Sequence, residues 1–211
     1  MDVQAIFKRV QRQFGDEAAV QVTSDDVIRW VNDAQKEIAL NNHLLQTAAT
    51  TNLVSGQGQY GFPANMLQLH SIRLDGVKLN EVSIQEWDNA YGSVNINDNA
   101  QGKPFCFYVY ENQYRLDPVP NYSSTNGLRL LYTRVPVEVT GLVDTPELPV
   151  QYHTRIVDYC LQQAYSLDED WTAAGNMASQ FKVNLDAQRE YEFQKTTDYY
   201  PSITVLPDDR W

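Results

Sequence analysis

The hydrophobic period of this 211-residue chain changes twice, and this change limits its fold more than any other feature. The first forty residues repeat apolar side chains every three to four positions, as amphipathic helices do. From about residue 47 the apolar residues fall in short runs between turn sequences, which is typical of strands. The helical period returns after Leu148-Pro149. Because neither helical pair can bury its apolar face alone, the sequence predicts an α+β fold: an antiparallel helical bundle of N- and C-terminal helices with an inserted small antiparallel β domain.

Both N-terminal helices carry an apolar stripe and a recognisable end. The first stripe stops at Gly15, a residue type that often terminates helices because it accepts left-handed backbone angles. Residues 23–26, Thr-Ser-Asp-Asp, supply oxygens that can cap the free amides of a second helix. The two stripes consist of Ile6, Phe7, Val10, Phe14, Val27, Ile28, Trp30, Val31, Ala34 and Ile38.

Turn sequences divide the middle segment into short strands. Residues 55–58, Ser-Gly-Gln-Gly, lie between two apolar runs and predict a hairpin. Asp75-Gly76 predicts another hairpin with a type I′ turn, because both central residues of that turn need positive φ. Glu111-Asn112 predicts a further hairpin between the runs 105–110 and 113–116.

The rest of the middle segment contains one predicted helix, two irregular stretches and a last strand. Ser83 and Glu86 have the spacing of a capping box, which predicts a short helix ending near Gly92. Residues 95–102 are polar and are expected to form a loop. Residues 117–127 contain two prolines without ladder donors, so we expect this stretch to lie outside the central sheet, before a strand at 128–135.

Two further helices follow Pro149. The apolar stripe of the first consists of Tyr152, Ile156, Tyr159, Cys160, Ala164 and Leu167. The second has a narrow seam for packing on another helix, formed by Trp171, Ala174, Ala178, Phe181 and Leu185. The sequence therefore predicts a helical domain from residues 1–46 and 149–195, an inserted β domain at 47–148 and an extended C-terminal tail at 196–211.

The predicted tail is unusually apolar for a segment without periodicity. Large apolar groups are costly to leave in water and are typical of segments that order on contact with a partner. We therefore predict that the tail docks onto another chain; folding back on its own body and plain disorder are the alternatives. The candidate partner-binding residues are Tyr199, Tyr200, Ile203, Val205, Leu206 and Trp211.

Composition excludes several classes of protein. With 16 basic against 27 acidic residues the chain has a net charge of −11, which argues against a generic nucleic-acid binder because phosphate neutralisation needs surplus Lys and Arg. No apolar run approaches the roughly 20 residues of a membrane span, and we expect no membrane association. Two cysteines far apart in sequence make a disulfide framework improbable.

A search for catalytic and metal-binding patterns finds none. His43, His70 and His153 belong to no motif with fixed chemistry, and together with two lone cysteines they give no metal-ligand spacing. The acidic run 168–170 lacks the spacing of a calcium loop and is interpreted as a favourable charge at a helix start. The sequence predicts no enzyme, no cofactor and no metal, although 27 acidic residues leave a paired-carboxylate glycosidase open.

Six motifs nevertheless occur in a distinctive order. They are Tyr60-Gly61-Phe62-Pro63, the Asp75-Gly76 hairpin, Gly102-Lys103-Pro104-Phe105 with Tyr108, Leu116-Asp117-Pro118-Val119-Pro120, Leu128-x-Leu130-x-Tyr132, and Leu148-Pro149 with Tyr152-His153. Within a helix–β–helix frame, this order resembles that of the head-to-tail adaptor (connector) proteins of tailed bacteriophages, and is similar to the tail tubular protein A-like class. The resemblance covers most of residues 20–195.

The resemblance implies a structural role in the virion. Such adaptors form a ring, usually a dodecamer, beneath the portal protein, continue the DNA channel and provide a platform for the tail or nozzle protein. It implies a location at the head–tail junction after assembly in the host cytoplasm, with double-stranded DNA passing through unbound. In this class the C-terminal segment often reaches the portal, which makes residues 196–211 the expected portal contact.

Two alternatives stay open. The chain could be another phage neck, tail or baseplate protein whose β domain binds carbohydrate or a further tail protein. A cell-wall glycosidase is the weaker alternative, because no motif supports it.

Overall fold

A computed structural model describes residues 1–91 and 101–198, with side chains over 1–87 and 101–191. The chain divides into two compact units. We call Met1–Asn42 together with the chain from Pro136 onward the helical unit, and His43–Val135 the β unit. The described residues are mixed α+β, as predicted, with five α-helices and mainly antiparallel strands.

The first two helices begin and end where the sequence indicates. Helix α1 spans Val3–Phe14, and Gly15 follows it with a left-handed φ of 91°. Helix α2 spans Ser24–Asn41 and starts with a capping box, in which Thr23 and Asp26 each bond to the other's backbone amide. These reciprocal bonds satisfy donors that every helix N-terminus leaves free.

The β unit contains ten strands and one helix in its described part. In chain order they are β1 Gln46–Leu53, β2 Gln59–Gly61, β3 Met66–Leu74, β4 Val77–Lys78, β5 Asn80–Glu81, α3 Ile84–Tyr91, β6 Gln101–Gly102, β7 Cys106–Tyr110, β8 Gln113–Asp117, β9 Val119–Pro120 and β10 Ser124–Arg134. One sheet has the order β1-β10-β3-β4, a second has β2-β8-β7-β5, and β6 pairs with β9.

The two larger sheets share one hydrophobic core. The stacked rings of Tyr60 and Tyr114, 5.7 Å apart, lie in it. Its buried members are Leu53, Tyr60, Ile72, Leu74, Leu79, Phe107, Tyr114, Leu116, Leu128, Leu130 and Tyr132. Strands β1 and β8 alternate between more and less buried residues, whereas Cys106, Phe107 and Tyr108 of β7 are all buried.

Two of the three predicted hairpins are confirmed. Asp75 and Gly76 both have positive φ, 48° and 87°, and connect β3 to β4. Glu111 and Asn112 connect β7 to β8 in the same way, with φ of 50° and 59°. The capping box before α3 is also present, since the Ser83 hydroxyl accepts from the Glu86 amide and the Glu86 carboxylate from the Ser83 amide.

The hairpin predicted at residues 55–58 is wrong. Strand β1 pairs with β10 and β2 pairs with β8, so residues 55–58 connect two sheets. The reason is length: the eight-residue β1 finds a ladder partner in the eleven-residue β10, whereas the three-residue β2 would leave most of its amides unpaired.

Two stretches predicted to be irregular contain strands. Strand β10 begins at Ser124, inside the stretch 117–127, because both prolines lie before it and the ladder donors are intact from there. Residues 101–102, expected to be loop, form β6 beside β9. Residues 95–100 of the predicted loop lie outside the described residues.

The helical unit is completed by the chain after Pro136. Residues 136–149 have no strand and join this unit, so its boundary lies at 135/136 and not at 148/149. A 3₁₀ turn at Val150–Tyr152 leads into α4, His153–Leu167, and α5 follows at Trp171–Asp198. Helices α1, α2 and α5 all pack on α4. Helix α5 extends three residues into the segment predicted as extended tail.

The predicted seam of α5 is buried at three of its five positions, whereas Ala178 is half-buried and Trp171 is exposed. Ala174, Phe181 and Leu185 are buried, and Phe181 contacts the Tyr159 ring edge-on at 5.6 Å. Trp171 is 70% exposed, because it begins α5 directly after the turn that follows the last residue of α4.

Candidate interaction surfaces

None of the six predicted partner-binding residues can be placed. Tyr199, Tyr200, Ile203, Val205, Leu206 and Trp211 all lie outside the described residues. Helix α5 ends at Asp198, immediately before them. The surfaces described below therefore come from residues that the sequence did not single out as partner-binding.

The three histidines are all engaged within their own units. Nε2 of the buried His153 donates to the Leu148 carbonyl at 2.9 Å, and burial lowers the pKa of this imidazole. His70 bonds the Thr133 hydroxyl at 2.8 Å, and its ring meets the His43 ring edge-on at 5.3 Å. Burial, and then the neighbouring His43, lower the pKa of His70.

A cavity of about 360 Å³ lies beside His70 in the β unit. Its lining residues are Gln46, Thr47, Ala48, His70, Arg129, Leu131 and Tyr132. No carboxylate and no thiol is among these lining residues, which do include the hydroxyls of Thr47 and Tyr132.

Both cysteine thiols are held in the unreactive form. Cys160 is fully buried on α4, and this burial raises the pKa of its thiol. Burial, followed by the nearby Asp117, raises the pKa of Cys106 to about 11. Since the thiolate is the reactive species, neither side chain is a candidate nucleophile. Among the described residues, no group of three or more His, Cys, Asp or Glu side chains could hold a metal ion.

Three cations lie side by side across the first sheet. Arg129 of β10 pairs in register with Arg73 of β3, which pairs with Lys78 of β4. Paired residues of antiparallel strands point to the same face, and all three are exposed. No ion pair joins them to a carboxylate in the described part of the chain. Like charges directly opposite one another are unfavourable, so this cationic row is poorly explained by stability of the fold.

The cationic row leads into a concave apolar site, which we call the cationic pocket. It has a volume of about 310 Å³ and is lined by Leu74, Val77, Lys78, Leu79, Asn80, Lys103, Pro104 and Phe105. Val77 is 61% and Phe105 56% exposed, although both are large and apolar. An apolar cavity between two lysines can accept an aromatic or aliphatic group that carries negative charge beside it.

A second exposed apolar surface lies at one end of the helical unit. The loop 16–22 after α1 meets the turn 168–170 before α5, where the Gln21 amide donates to Asp168 at 3.3 Å. At the same end of the unit, the ring of Phe14 in α1 contacts the ring of Tyr165 in α4, with 5.3 Å between the ring centres. We call loop 16–22 together with residues 167–171 the helical tip.

The helical tip combines apolar side chains with negative charge. Its exposed apolar residues are Val20 at 78%, Leu167 at 56% and Trp171 at 70%. Its carboxylates are Asp16, Glu17, Asp168, Glu169 and Asp170. Some of them are structural: Asp16 accepts from the amides of loop 16–22, and Asp170 caps α5 by accepting from Ala173.

The charge of the chain is divided unequally between the units. The helical unit has 10 basic and 20 acidic residues, a net charge of −10, whereas the β unit has 6 and 7, a net charge of −1. One helix opposes this trend, since α1 carries Lys8, Arg9 and Arg12 on its exposed side and no acidic residue.

These surfaces were not visible in the sequence for a definite reason. The cationic row requires the strand register, which brings together residues as far apart as Arg129 and Arg73. The helical tip requires the packing of α1 beside α4, which joins loop 16–22 to the turn 168–170. Taken alone, the acidic run 168–170 indicates a helix start, and the helical period places Leu167 and Trp171 on apolar stripes that are expected to be buried.

The described units thus expose two surfaces that combine large apolar side chains with charged ones. A model of the SU10 adaptor protein family matches residues 1–206, nearly the whole chain. The chain therefore belongs to the SU10 adaptor protein family. This family consists of bacteriophage structural adaptors, which is not an enzyme class, and membership implies a virion location with portal and tail partners in general.

Two further findings accompany this assignment. No curated protein matches the chain. None of the described helices is both long and apolar enough to cross a membrane.

Proposed function

We propose that this protein is a head-to-tail adaptor that forms a closed dodecameric ring beneath the portal, continues the DNA channel and supports the tail or nozzle protein. The observation that carries this proposal is the family match over residues 1–206. The exposed apolar surfaces on both units are consistent with a protein that acts by binding other proteins.

The proposed mechanism is geometric. In a ring of identical copies, each copy presents one surface to the copy before it and a different surface to the copy after it, and closure leaves no free interface. Helix α5 ends at Asp198 and leads directly into the apolar segment 199–211. We propose that this segment binds the portal, with Tyr199, Tyr200 and Trp211 as anchors, because large aromatic residues dominate interface energies.

The charge of the helical unit fits the passage of DNA. Each copy contributes a net charge of −10 from this unit, and a ring multiplies it. A channel lined by helical units would repel phosphates, so that the duplex slides through without being bound. A basic channel wall in the assembled particle would contradict this part of the proposal.

Removal of residues 199–211 tests the portal contact. We expect the truncated protein, which keeps every described residue of α5, to retain the melting temperature of the full chain. It should fail to attach to DNA-filled heads that lack the adaptor. A full-length variant with Tyr199, Tyr200 and Trp211 changed to Ser is the matched control for chain length and should fail in the same way. Normal attachment of both proteins would remove the portal role of this segment.

The position of the protein in intact particles separates an adaptor from a neck, tail or baseplate component. Cryo-electron microscopy should place the two units directly beneath the portal. Density for this chain at the distal end of the tail would contradict the proposed function.

A further inference from the structure

The cationic pocket and the helical tip have complementary chemistry. The pocket is concave and apolar, with Lys78 and Lys103 in its lining. The tip projects Trp171 and Leu167 on either side of the acidic turn 168–170. Each surface exposes apolar area that is costly in water, and each carries the charge that the other lacks.

We propose that the helical tip of one copy docks into the cationic pocket of the next copy. The indole of Trp171 fills the cavity beside Val77 and Phe105, while the carboxylates of Asp168 and Glu169 face Lys78 and Lys103. This inference rests on the ring proposed above and names the contact that builds it.

The charges favour contact between unlike surfaces. Pairing two pockets would bring four lysines together, and pairing two tips would bring together two runs of three carboxylates. Both like-with-like arrangements are repulsive. Of these three arrangements, only contact between a pocket and a tip brings opposite charges together. A ring also requires contact between two different surfaces of the same chain.

The apolar lining favours a protein over DNA as the occupant. A duplex backbone could neutralise Lys78 and Lys103, but it offers no apolar group to fill a cavity of about 310 Å³ beside Phe105. An exposed tryptophan can fill such a cavity and also interact with a lysine through its ring face. The cations of α1 line neither of the two cavities described above and are the weaker candidate for the same partner.

Cross-linking between copies tests the contact. Lys103→Cys and Glu169→Cys are prepared as separate full-length proteins, mixed, and attached to DNA-filled heads lacking the adaptor. A short bismaleimide should then give a covalent dimer from the mixture and none from either protein alone. The native thiols should not react, because Cys106 and Cys160 are both buried.

A second pair of cysteine variants tests whether cross-linking depends on the position of the cysteine along α5. Lys182→Cys lies on the same helix as Trp171, eleven residues or about 16 Å further along, and its side chain is exposed. Mixed with Lys103→Cys, it should give at least about tenfold less dimer. Equal or greater yield from this control would overturn the proposed contact.

Substitution of the indole gives a second, independent measurement. Trp171→Ala should raise the protein concentration needed for half-maximal cross-linking on the order of 30-fold, as loss of an interface hot spot does. Tyr191→Ala is the control, because Tyr191 is an aromatic of the same helix with 65% exposure, against 70% for Trp171. Equal effects of the two changes would contradict the assignment of Trp171.

Exchanging the charges of the pocket and the tip tests whether these particular side chains pair or whether only the net charge of the protein matters. The double variant Lys78→Glu with Lys103→Glu should no longer form rings on the heads. Introducing Asp168→Lys and Glu169→Lys into the same chain should restore ring formation. Lys8→Glu with Arg9→Glu makes the same change in net charge on α1 and should leave ring formation intact. Failure of the restoring pair, in folded protein, would overturn the proposal.

The outcomes distinguish this inference from the proposed function. If rings form on the heads but Lys103→Cys and Glu169→Cys give no cross-linked dimer, the proposed contact is overturned and the adaptor function is not. A cross-link from Lys103→Cys to the portal or a tail protein would overturn the second copy as the occupant. Failure of the unmodified protein to attach to heads at all would overturn the adaptor function itself.

Discussion

At the scale of single residues, backbone angle decides which side chains the β unit tolerates. Gly76 has a φ of 87°, and a Cβ added to it would meet no atom within 4 Å. Any cost of a side chain at this position therefore comes from the left-handed backbone and not from a clash. Asp75, its neighbour in the turn, also has positive φ and uses its carboxylate to accept from Tyr122 and Ser124.

We predict that Gly76→Ala destabilises the protein by about 1–2 kcal/mol, the cost of a left-handed angle for a residue with a Cβ. Gly61→Ala is the control, since its Cβ also meets nothing within 4 Å and its φ is not in the left-handed region. Urea unfolding measures both variants. Equal unfolding free energies for the two would show that backbone strain at Gly76 is not the cause.

Asp16 gives a residue-scale prediction of pH dependence. Its carboxylate accepts from the amides of Val22, Val20 and Gln21 at 2.9, 3.0 and 2.8 Å, and these bonds lower the pKa of Asp16. A carboxylate with a lowered folded pKa stabilises the fold fully above its ordinary value near 3.8, and this contribution is lost as the pH falls through the folded pKa.

Asp16→Asn should therefore lower the melting temperature at pH 7, and the difference from the unmodified protein should shrink below about pH 4. Glu17→Gln is the control, because the Glu17 carboxylate makes no hydrogen bond to the described residues. Thermal melts from pH 2.5 to 7 measure the effect. A difference that stays constant over this range would contradict the role assigned to the Asp16 bonds.

At the scale of elements, the helical unit depends on a few side chains that join α5 to α4. Phe181 is 2% exposed and packs against Tyr159, whereas Val183, two residues further along the same helix, is 67% exposed. Burial at intervals of three and four residues, and not the composition of α5, holds this helix in place.

We predict that Phe181→Ala lowers the free energy of unfolding by about 3–5 kcal/mol, the usual cost of removing a buried phenyl group. Val183→Ala should change it by less than about 0.5 kcal/mol, as expected for an exposed position. Urea unfolding followed by circular dichroism measures both. Similar effects of the two substitutions would contradict the packing described for α5.

Local signals predicted elements well, and strand pairing poorly. Gly15, Thr23 with Asp26, and Ser83 with Glu86 act within a few residues, so their effects can be read from sequence. Strand partners depend on distant parts of the chain. The sequence could not show that β1 prefers β10 to β2, because that choice depends on the lengths of all three strands.

At the scale of the whole molecule, the sequence indicated the class of protein but not its surfaces. The order of motifs pointed to a phage adaptor, and the family match over residues 1–206 supports a phage structural adaptor. The tail tubular protein A-like subtype stays a prediction. The predicted anchors lie after Asp198, whereas the two described surfaces arise from contacts across more than fifty residues of chain, such as Arg73 with Arg129.

The division of the chain also imposes an order on its synthesis. Helices α1 and α2 leave the ribosome before the β unit, but the helix on which both pack, α4, begins only at His153. At roughly 5–20 residues per second, translation of the intervening chain takes on the order of ten seconds, during which their apolar stripes lack their partner. The β unit, which is continuous from His43 to Val135, can complete its core in that interval. A ribosome that stalls before α4 would therefore hold a chain with a folded β unit and two helices whose apolar stripes are exposed. This is the form of the protein most exposed to host chaperones and proteases.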